Sequence, residues 1–406
     1  MVHIYPSLPS AIGHKEGSTR MDSEPAEVLL ALLEQMVAVP ASELLSAVHL
    51  AGQVLGASDA RLLVADYGLT ALQELGKDGP TGVSQPVEGT RAGRCFERGD
   101  VVVSGDDPPT VWVLLADGSE RLGVLELTHP AWSDDLLPLL DPVVRLLVLV
   151  LISKRRYTDV MLRSRRAAPL SLAAEMQWDL LPPLTCSAER VSLSGIVEPA
   201  YSIGGDSFDY ALNPNRAEFA IVDAVGHGMG AVSIAVVAIN SLRNARREGA
   251  SMEDAYLNTG AAIKAQFGQS NFATGQLGSL ALDTGELTWL NAGHPLPLLV
   301  RDRTFVGELS CAPSMPMGLE GPVVEIATEV LQPGDHVLFY TDGVVESRDP
   351  DGDTFGVDRL GDFLARAAID EVSPAETVRR LAEAAVAHTQ DLRDDATLFL
   401  VEYHRS

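Results

Sequence analysis

Cysteine is scarce in this chain: Cys95, Cys186 and Cys311 are the three in 406 residues, far apart and without a C-x-x-C spacing. That excludes a disulfide framework and a cysteine-ligated zinc site, and it fits a reducing cytoplasm. Positive charge is also short, with 30 Lys and Arg against 56 Asp and Glu, for a formal net charge of −26. Such a surface repels nucleic acid and anionic membrane, which removes both as partners. No basic stretch followed by an apolar run marks a secretory signal. No clean apolar run approaches the roughly 20 residues of a membrane-spanning helix. The most hydrophobic stretch, Leu136 to Ile152, is interrupted by Pro138, Asp141, Pro142 and Arg145, and reads as a buried helix. Tandem repeats, low-complexity tracts, a Walker-type phosphate loop and an H-D cluster are absent as well.

What is present is globular. Hydrophobic residues make up 46% and charged residues 21%. A chain of this length exceeds one ordinary core, so two domains are expected. Residues 1–25 mix Pro, Gly, Ser and His without periodicity and are expected to be disordered, with Met21 a candidate natural start. Apolar spacing predicts helices over Glu27 to Val37 and Ala41 to Leu55. The period then changes. Ala60 to Ala65, Val101 to Ser104, Thr110 to Leu115 and Leu122 to Leu127 read as strands, closed by the helix at Leu136 to Ser153. Residues 26–153 therefore form an α/β unit. Residues 154–185 read as a helical linker, basic at first (Lys154, Arg155, Arg156, Arg163, Arg165, Arg166), then amphipathic, and ended by Pro182 and Pro183. It is either a solvated connector or a helix that pairs with a second copy or packs on the second domain as a switch.

The phrase LGASDARLLVAD, the loop region ending at Gly93 and Cys95, and ERLGVLELTHP before a helix together resemble a GAF sensor domain. The resemblance implies a small-molecule or protein signal; a generic α/β module without a ligand is the alternative.

From Val191 onward, carboxylates recur where strands end. Asp206 follows Gly204-Gly205, and Asp209 lies three residues on. Phe219 to Val222 is a short apolar strand that delivers Asp223 and then Ala224, with Gly226-His227-Gly228 turning into a helix over about Ala231 to Arg247. Val337 to Tyr340 delivers Asp342 into a glycine turn, and Asp394-Asp395 opens the last strand. A strand-Asp-Gly element alone is usually only a turn. Several carboxylates gathered in a core, however, need counter-charge, and a hard cation with oxygen ligands, Mg²⁺ or Mn²⁺, supplies it. The acidic surface sharpens that need for any enzyme whose substrate is a phosphate anion.

In their order, GGDSFD, VDAVGHGMGA, LNAGHPLPLLV, LFYTDGVVES and RDDATLFLVE resemble the PPM (PP2C-type) protein phosphatases, in the bacterial SpoIIE/RsbU branch. EMQWDLLPP is similar to that branch's linker, so the likeness covers residues 175 to 403. It implies an α+β fold for residues 186–406: a four-layer sandwich of two antiparallel sheets flanked by helices, with hairpin Gly278 to Asn291 in one sheet. It implies two divalent metal ions. Asp223 matches the bridging aspartate, Ala224 the residue lending its carbonyl, Asp206 the carboxylate on the second metal, and Asp342 and Asp394 the pair on the first. Asp395 is the alternative to Asp394, and Asp209 is outer-shell or structural. No catalytic side chain is implied beyond the metal-activated water. The family's eukaryotic phosphate-binding arginine has no counterpart in Tyr201 to Tyr210, and His227 and His294 read as structural.

The function so implied is hydrolysis of phosphoserine or phosphothreonine on a protein, a STAS-type anti-sigma-factor antagonist, by a cytoplasmic homodimer controlled through the sensor unit. The alternatives are a catalytically weak scaffold with a phosphatase fold, and a metal phosphohydrolase of small phosphoesters.

Overall fold

The computed structural model describes residues 25–202, 204–321, 325–389 and 395–404. The N-terminal segment expected to lack structure and the candidate ligand Asp394 lie outside them. The chain divides into two compact units, the first ending at Ala168 and the second beginning at Pro169.

The first unit opens with helices α1 (Pro25–Ala38) and α2 (Leu44–Val54). Strands β1 (Asp59–Ala65), β2 (Ala71–Gly76) and β3 (Gly79–Pro86) follow, then helix α3 (Arg91–Arg98) and strands β4 (Val102–Val103), β5 (Thr110–Asp117) and β6 (Glu120–Thr128). Helix α4 (Leu137–Lys154) and the short α5 (Val160–Ser164) complete it. The strands form one antiparallel sheet in the order β3-β2-β1-β6-β5-β4. Because strand side chains alternate between faces, Leu62 and Val64 join the core under α1, α2 and α4, while Leu63 and Ala65 join a smaller core with Cys95 and Phe96 of α3. Both faces of β1 are thus covered. The helical segment Asp134–Tyr157 is long and apolar enough, by length and composition, to cross a membrane. Here Leu140, Val143, Leu147 and Leu151, all on one helical face, are buried in the core. The basic start of the expected linker belongs to this unit: α5 packs on β2 and β3, and the Arg165 guanidinium lies 4.4 Å over the Tyr67 ring.

The second unit begins with helix α6 (Leu172–Leu180) and strands β7 (Thr185–Ser187), β8 (Val191–Glu198), β9 (Asp206–Asn213) and β10 (Arg216–Ala224). Helices α7 (Gly228–Glu248) and α8 (Met252–Phe267) lead to the hairpin β11 (Ala273–Ala281) and β12 (Glu286–Ala292). Strands β13 (Leu298–Arg301), β14 (Thr304–Glu308), β15 (Ile326–Val330) and β16 (His336–Tyr340) follow. The one-turn α9 (Asp342–Val345), helices α10 (Val357–Ile369) and α11 (Pro374–His388), and strand β17 (Ala396–Tyr403) end the unit. Helix α7 stops where its sequence says it should, with Arg246 and Arg247 in the last turn and Gly249 capping at φ 70°.

Two antiparallel sheets result, β15-β12-β11-β10-β9 and β14-β13-β16-β17-β8-β7. Their facing sides meet through aromatic rings. Phe208 of β9 lies 5.4 Å from Phe399 of β17, and Phe219 of β10 lies 5.0 Å from Phe339 of β16. Two glycines make room for them: a Cβ on Gly195 would stand 2.4 Å from the Phe208 ring, and one on Gly278 would stand 2.2 Å from that of Phe219. Helix α7 covers the outer face of the first sheet, and α11 that of the second. This is the four-layer α+β sandwich expected from the sequence.

Candidate metal centre

Alternation along the strands decides which carboxylates can meet. Phe208, Phe219, Phe339 and Phe399 mark the layer between the sheets. Residues an even number of places from them on the same strand share that side. Asp206 shares it with Phe208, Asp223 with Phe219, Thr341 with Phe339, and Asp395 and Thr397 with Phe399. Ala220, Val222 and Ala224 point the other way, into the core beneath α7. One end of the inter-sheet layer is therefore polar, with its carboxylates drawn from three strand ends.

The register completes the approach. Asp223 stands directly opposite Asp206 in the β9–β10 ladder, and the Ala224 N–H donates to the Gly205 carbonyl at 3.2 Å. Asp206 is then tied to the second sheet. Its backbone N–H donates to Asp395 Oδ2 at 3.1 Å, and its own Oδ2 accepts from the Thr341 hydroxyl at 2.7 Å. The same hydroxyl accepts the Thr397 N–H at 2.9 Å. Thr341 is the last residue before Asp342, which opens α9 and is exposed. The glycine of the T-D-G turn is required here: a Cβ on Gly343 would fall 1.9 Å from the Asp395 carbonyl oxygen.

The electrostatics follow from this crowding. Burial pushes the Asp206 carboxyl well above the usual carboxylate range, and the charges of Asp223 and Asp395 push it further; the hydroxyls of Thr341 and Thr397 oppose the rise. A buried acid flanked by two others calls for a cation. The donor set is made of hard oxygens, the carboxylates of Asp206 and Asp223 and the Ala224 carbonyl, and it fits Mg²⁺ or Mn²⁺ in kind. Among the described residues, no three His, Cys, Asp or Glu side chains are gathered closely enough to hold an ion by themselves. Carbonyl and water oxygens would have to complete the coordination.

Asp209 does not join this group. Three places from Asp206, it faces α7, where Arg243 donates to its Oδ1 at 2.7 Å and Arg246 to its Oδ2 at 2.8 Å. Its work is structural: Arg243 also donates to the Leu180 carbonyl, tying β9 and α7 to the end of α6. His227 is the exposed residue ahead of α7 and makes no side-chain cap, so its imidazole does not fix the turn as the glycine context suggested. His294 is buried, and burial lowers its pKa to about 3, leaving the ring neutral.

Four side chains that bear on the cluster escaped sequence reasoning. Thr341 and Thr397 are two, and their signal was the hydroxyl beside each acidic motif. Thr274 of β11 is the third; its hydroxyl lies 3.4 Å from Asp223 Oδ2. Gln177 is the fourth, donating from α6 to the Asp206 carbonyl at 2.7 Å. Helix α6 also holds the approach to Asp206, since Ser171 donates to the Ser202 carbonyl at 3.0 Å and Trp178 to that of Ala200 at 2.8 Å.

Comparison with known proteins places this geometry in context. Residues 213–404 match the family described as stage II sporulation protein E (SpoIIE). Protein IcfG of Synechocystis sp. is 25% identical over 224 residues, 48% of this chain and 35% of IcfG. The chain thus spans about a third of that relative's length. Phosphoserine phosphatase RsbU of Bacillus subtilis is 21% identical over 240 residues, 56% of this chain and 69% of RsbU. Among solved structures, the SiaA-PP2C domain of Pseudomonas aeruginosa aligns at a TM-score of 0.48 and 19% identity, over 58% of this chain and 94% of that one.

Proposed function

Since the C-terminal unit belongs to the SpoIIE family of PP2C-type domains, we propose that this chain is a metal-dependent protein phosphatase that hydrolyses phosphoserine or phosphothreonine on a protein. The observation that carries this reading is Asp206 held opposite Asp223 and fastened to Asp395 and Thr341 of the other sheet.

In this reading Asp206, Asp223, the Ala224 carbonyl, Asp342 and Asp394 hold two divalent ions, Mn²⁺ or Mg²⁺. Bound there, the ions would supply Lewis-acid charge and an activated water for in-line attack on phosphorus. The chain's own residues do the holding. Asp395, whose Oδ2 accepts the Asp206 N–H, is read here as a support for Asp206, with Asp394 the ligand. Thr341 orients the Asp206 carboxylate. A covalent thiol route is disfavoured: burial pushes the Cys95 thiol up to about 12 and raises that of Cys311 as well.

The name of the RsbU relative, a phosphoserine phosphatase, supports the substrate class. The partner we propose is a phosphorylated STAS-type anti-sigma-factor antagonist, met by a cytoplasmic homodimer. The first unit would act as a GAF-like sensor. Its signal would reach the site through α6, whose Gln177 touches the segment that delivers Asp206.

Phosphate release from a phosphorylated antagonist protein, with Mn²⁺ and with EDTA, tests this directly. Turnover that requires Mn²⁺ and is lost in Asp223→Asn supports it. Equal rates in wild type and Asp223→Asn would reject the assignment, and binding of the antagonist without turnover would favour the scaffold reading.

A further inference from the structure

The N-A-G-H-P segment that closes β12 and turns out of it has no task in the reading above, yet it is built with care. The Asn291 side chain clamps the turn twice, accepting the His294 N–H at 2.7 Å and donating to the His294 carbonyl at 2.8 Å. Gly293 takes φ 70°, a conformation that suits glycine. The result is an imidazole inserted among buried groups, with its Nδ1 placed 3.0 Å from the Thr274 hydroxyl.

Thr274 stands directly opposite Asp223 in the β10–β11 ladder, as Asp206 does in β9–β10. Asp206, Asp223 and Thr274 thus form one cross-strand row on one face of the sheet. The Thr274 hydroxyl lies between His294 Nδ1 and Asp223 Oδ2 and has a single proton to give. An ionised carboxylate can only accept. If the hydroxyl serves Asp223, then Nδ1 must donate to the hydroxyl, and the ring proton resides on Nδ1. The other ring nitrogen agrees with this: Nε2 is buried without a partner in hydrogen-bond geometry. The carbonyl of Tyr340 is the group that would draw a proton to the ring, and it is the competitor in the opposite tautomer.

We propose that His294 is a positioning residue, whose Nδ1–H orients the Thr274 hydroxyl so that it donates to Asp223 and fixes that carboxylate. The 3.4 Å separation from Asp223 is at the weak limit of such a bond. The arrangement is a supporting hydrogen bond behind a ligand, of the kind that tunes metal affinity. Its role toward a cation rests on the functional reading above; the orientation of Thr274 does not.

Two measurements test it on the full chain. Long-range ¹H–¹⁵N correlation spectra, with His294 assigned from His294→Asn, should show a neutral ring protonated on Nδ1. A proton on Nε2 overturns the proposal. Manganese titration, followed by the signal of free Mn²⁺, should show Thr274→Val weakened about tenfold or more and Thr274→Ser within about twofold of wild type. Equal affinity of Thr274→Val and wild type overturns it, and rescue by serine separates the hydroxyl's role from mere packing. Should the wild type bind no Mn²⁺, the functional reading fails, and the tautomer alone decides this proposal.

Discussion

Thr341→Val removes one oxygen from the centre of the site and leaves the side chain's shape. In the native protein that oxygen serves two partners, accepting the Thr397 N–H at 2.9 Å and donating to Asp206 Oδ2 at 2.7 Å. Thr341, Thr397 and Asp206 are all buried, so water does not replace what is lost. A hydrogen bond to a charged group contributes about 1.5–3 kcal/mol, and a buried N–H left unpaired costs about 1–3 kcal/mol. The variant should therefore lose about 2.5–6 kcal/mol. For a unit of this size each kcal/mol lowers Tm by about 2–4 °C, so the C-terminal unit's transition should fall by roughly 5–24 °C. Thr341→Ser keeps the oxygen and removes one methyl group, a loss of about 1 kcal/mol. Differential scanning calorimetry of the full chain in EDTA compares the two. If the valine and serine variants melt within about 2 °C of each other, the hydroxyl is not the tie between the sheets that the geometry makes it.

Other outcomes follow from the same contacts. The Asp206 carboxyl is raised, so its contribution to stability is present below the ordinary aspartate range and lost as pH rises through its raised value. In metal-free protein this falls by up to about 1.4 kcal/mol per pH unit, and Asp206→Asn should flatten the pH dependence of Tm and stabilise the chain near neutrality. A chelated Asp206→Asn protein less stable than wild type at pH 7 would contradict this. Asp209→Ala leaves Arg243 and Arg246 without their carboxylate and should cost about 3–5 kcal/mol by urea unfolding, while Mn²⁺ affinity stays near wild type. Gly195→Ala drives a methyl into the Phe208 ring and should cost at least 1–3 kcal/mol, roughly what overpacking a core costs.

How much of this was legible beforehand depends on what makes each element. Strands β10, β16 and β17 and helix α7 carry their own apolar period, and each has a glycine or an acid at or beside one of its ends, so they could be read locally. The edge strand β3 could not: along Gly79–Pro86 most residues are exposed, and no alternation marks it. Helix α3 is short and arginine-rich, and its helical character comes from the Thr90 cap, Gly99 at its end and packing of Phe96. Within the site, Asp206 and Asp223 were legible because acids recur at strand ends throughout one stretch of the chain, although any one of them alone would read as a turn. The opposite roles of Asp206 and Asp209 were implicit in their odd spacing, since β9 sends them to opposite faces. Thr341, Thr274 and Gln177 were hidden because their partners lie far off in sequence, Asp206 at a separation of 135 residues from Thr341 and 29 from Gln177.

The central claim, that separated carboxylates converge to hold divalent cations, is tested most directly by manganese anomalous diffraction from crystals of the full chain. The account predicts anomalous peaks in contact with the Asp206 and Asp223 carboxylates, absent from Asp223→Asn crystals. Ordered carboxylates with no peak between them at saturating Mn²⁺, or peaks only elsewhere on the surface, would contradict it.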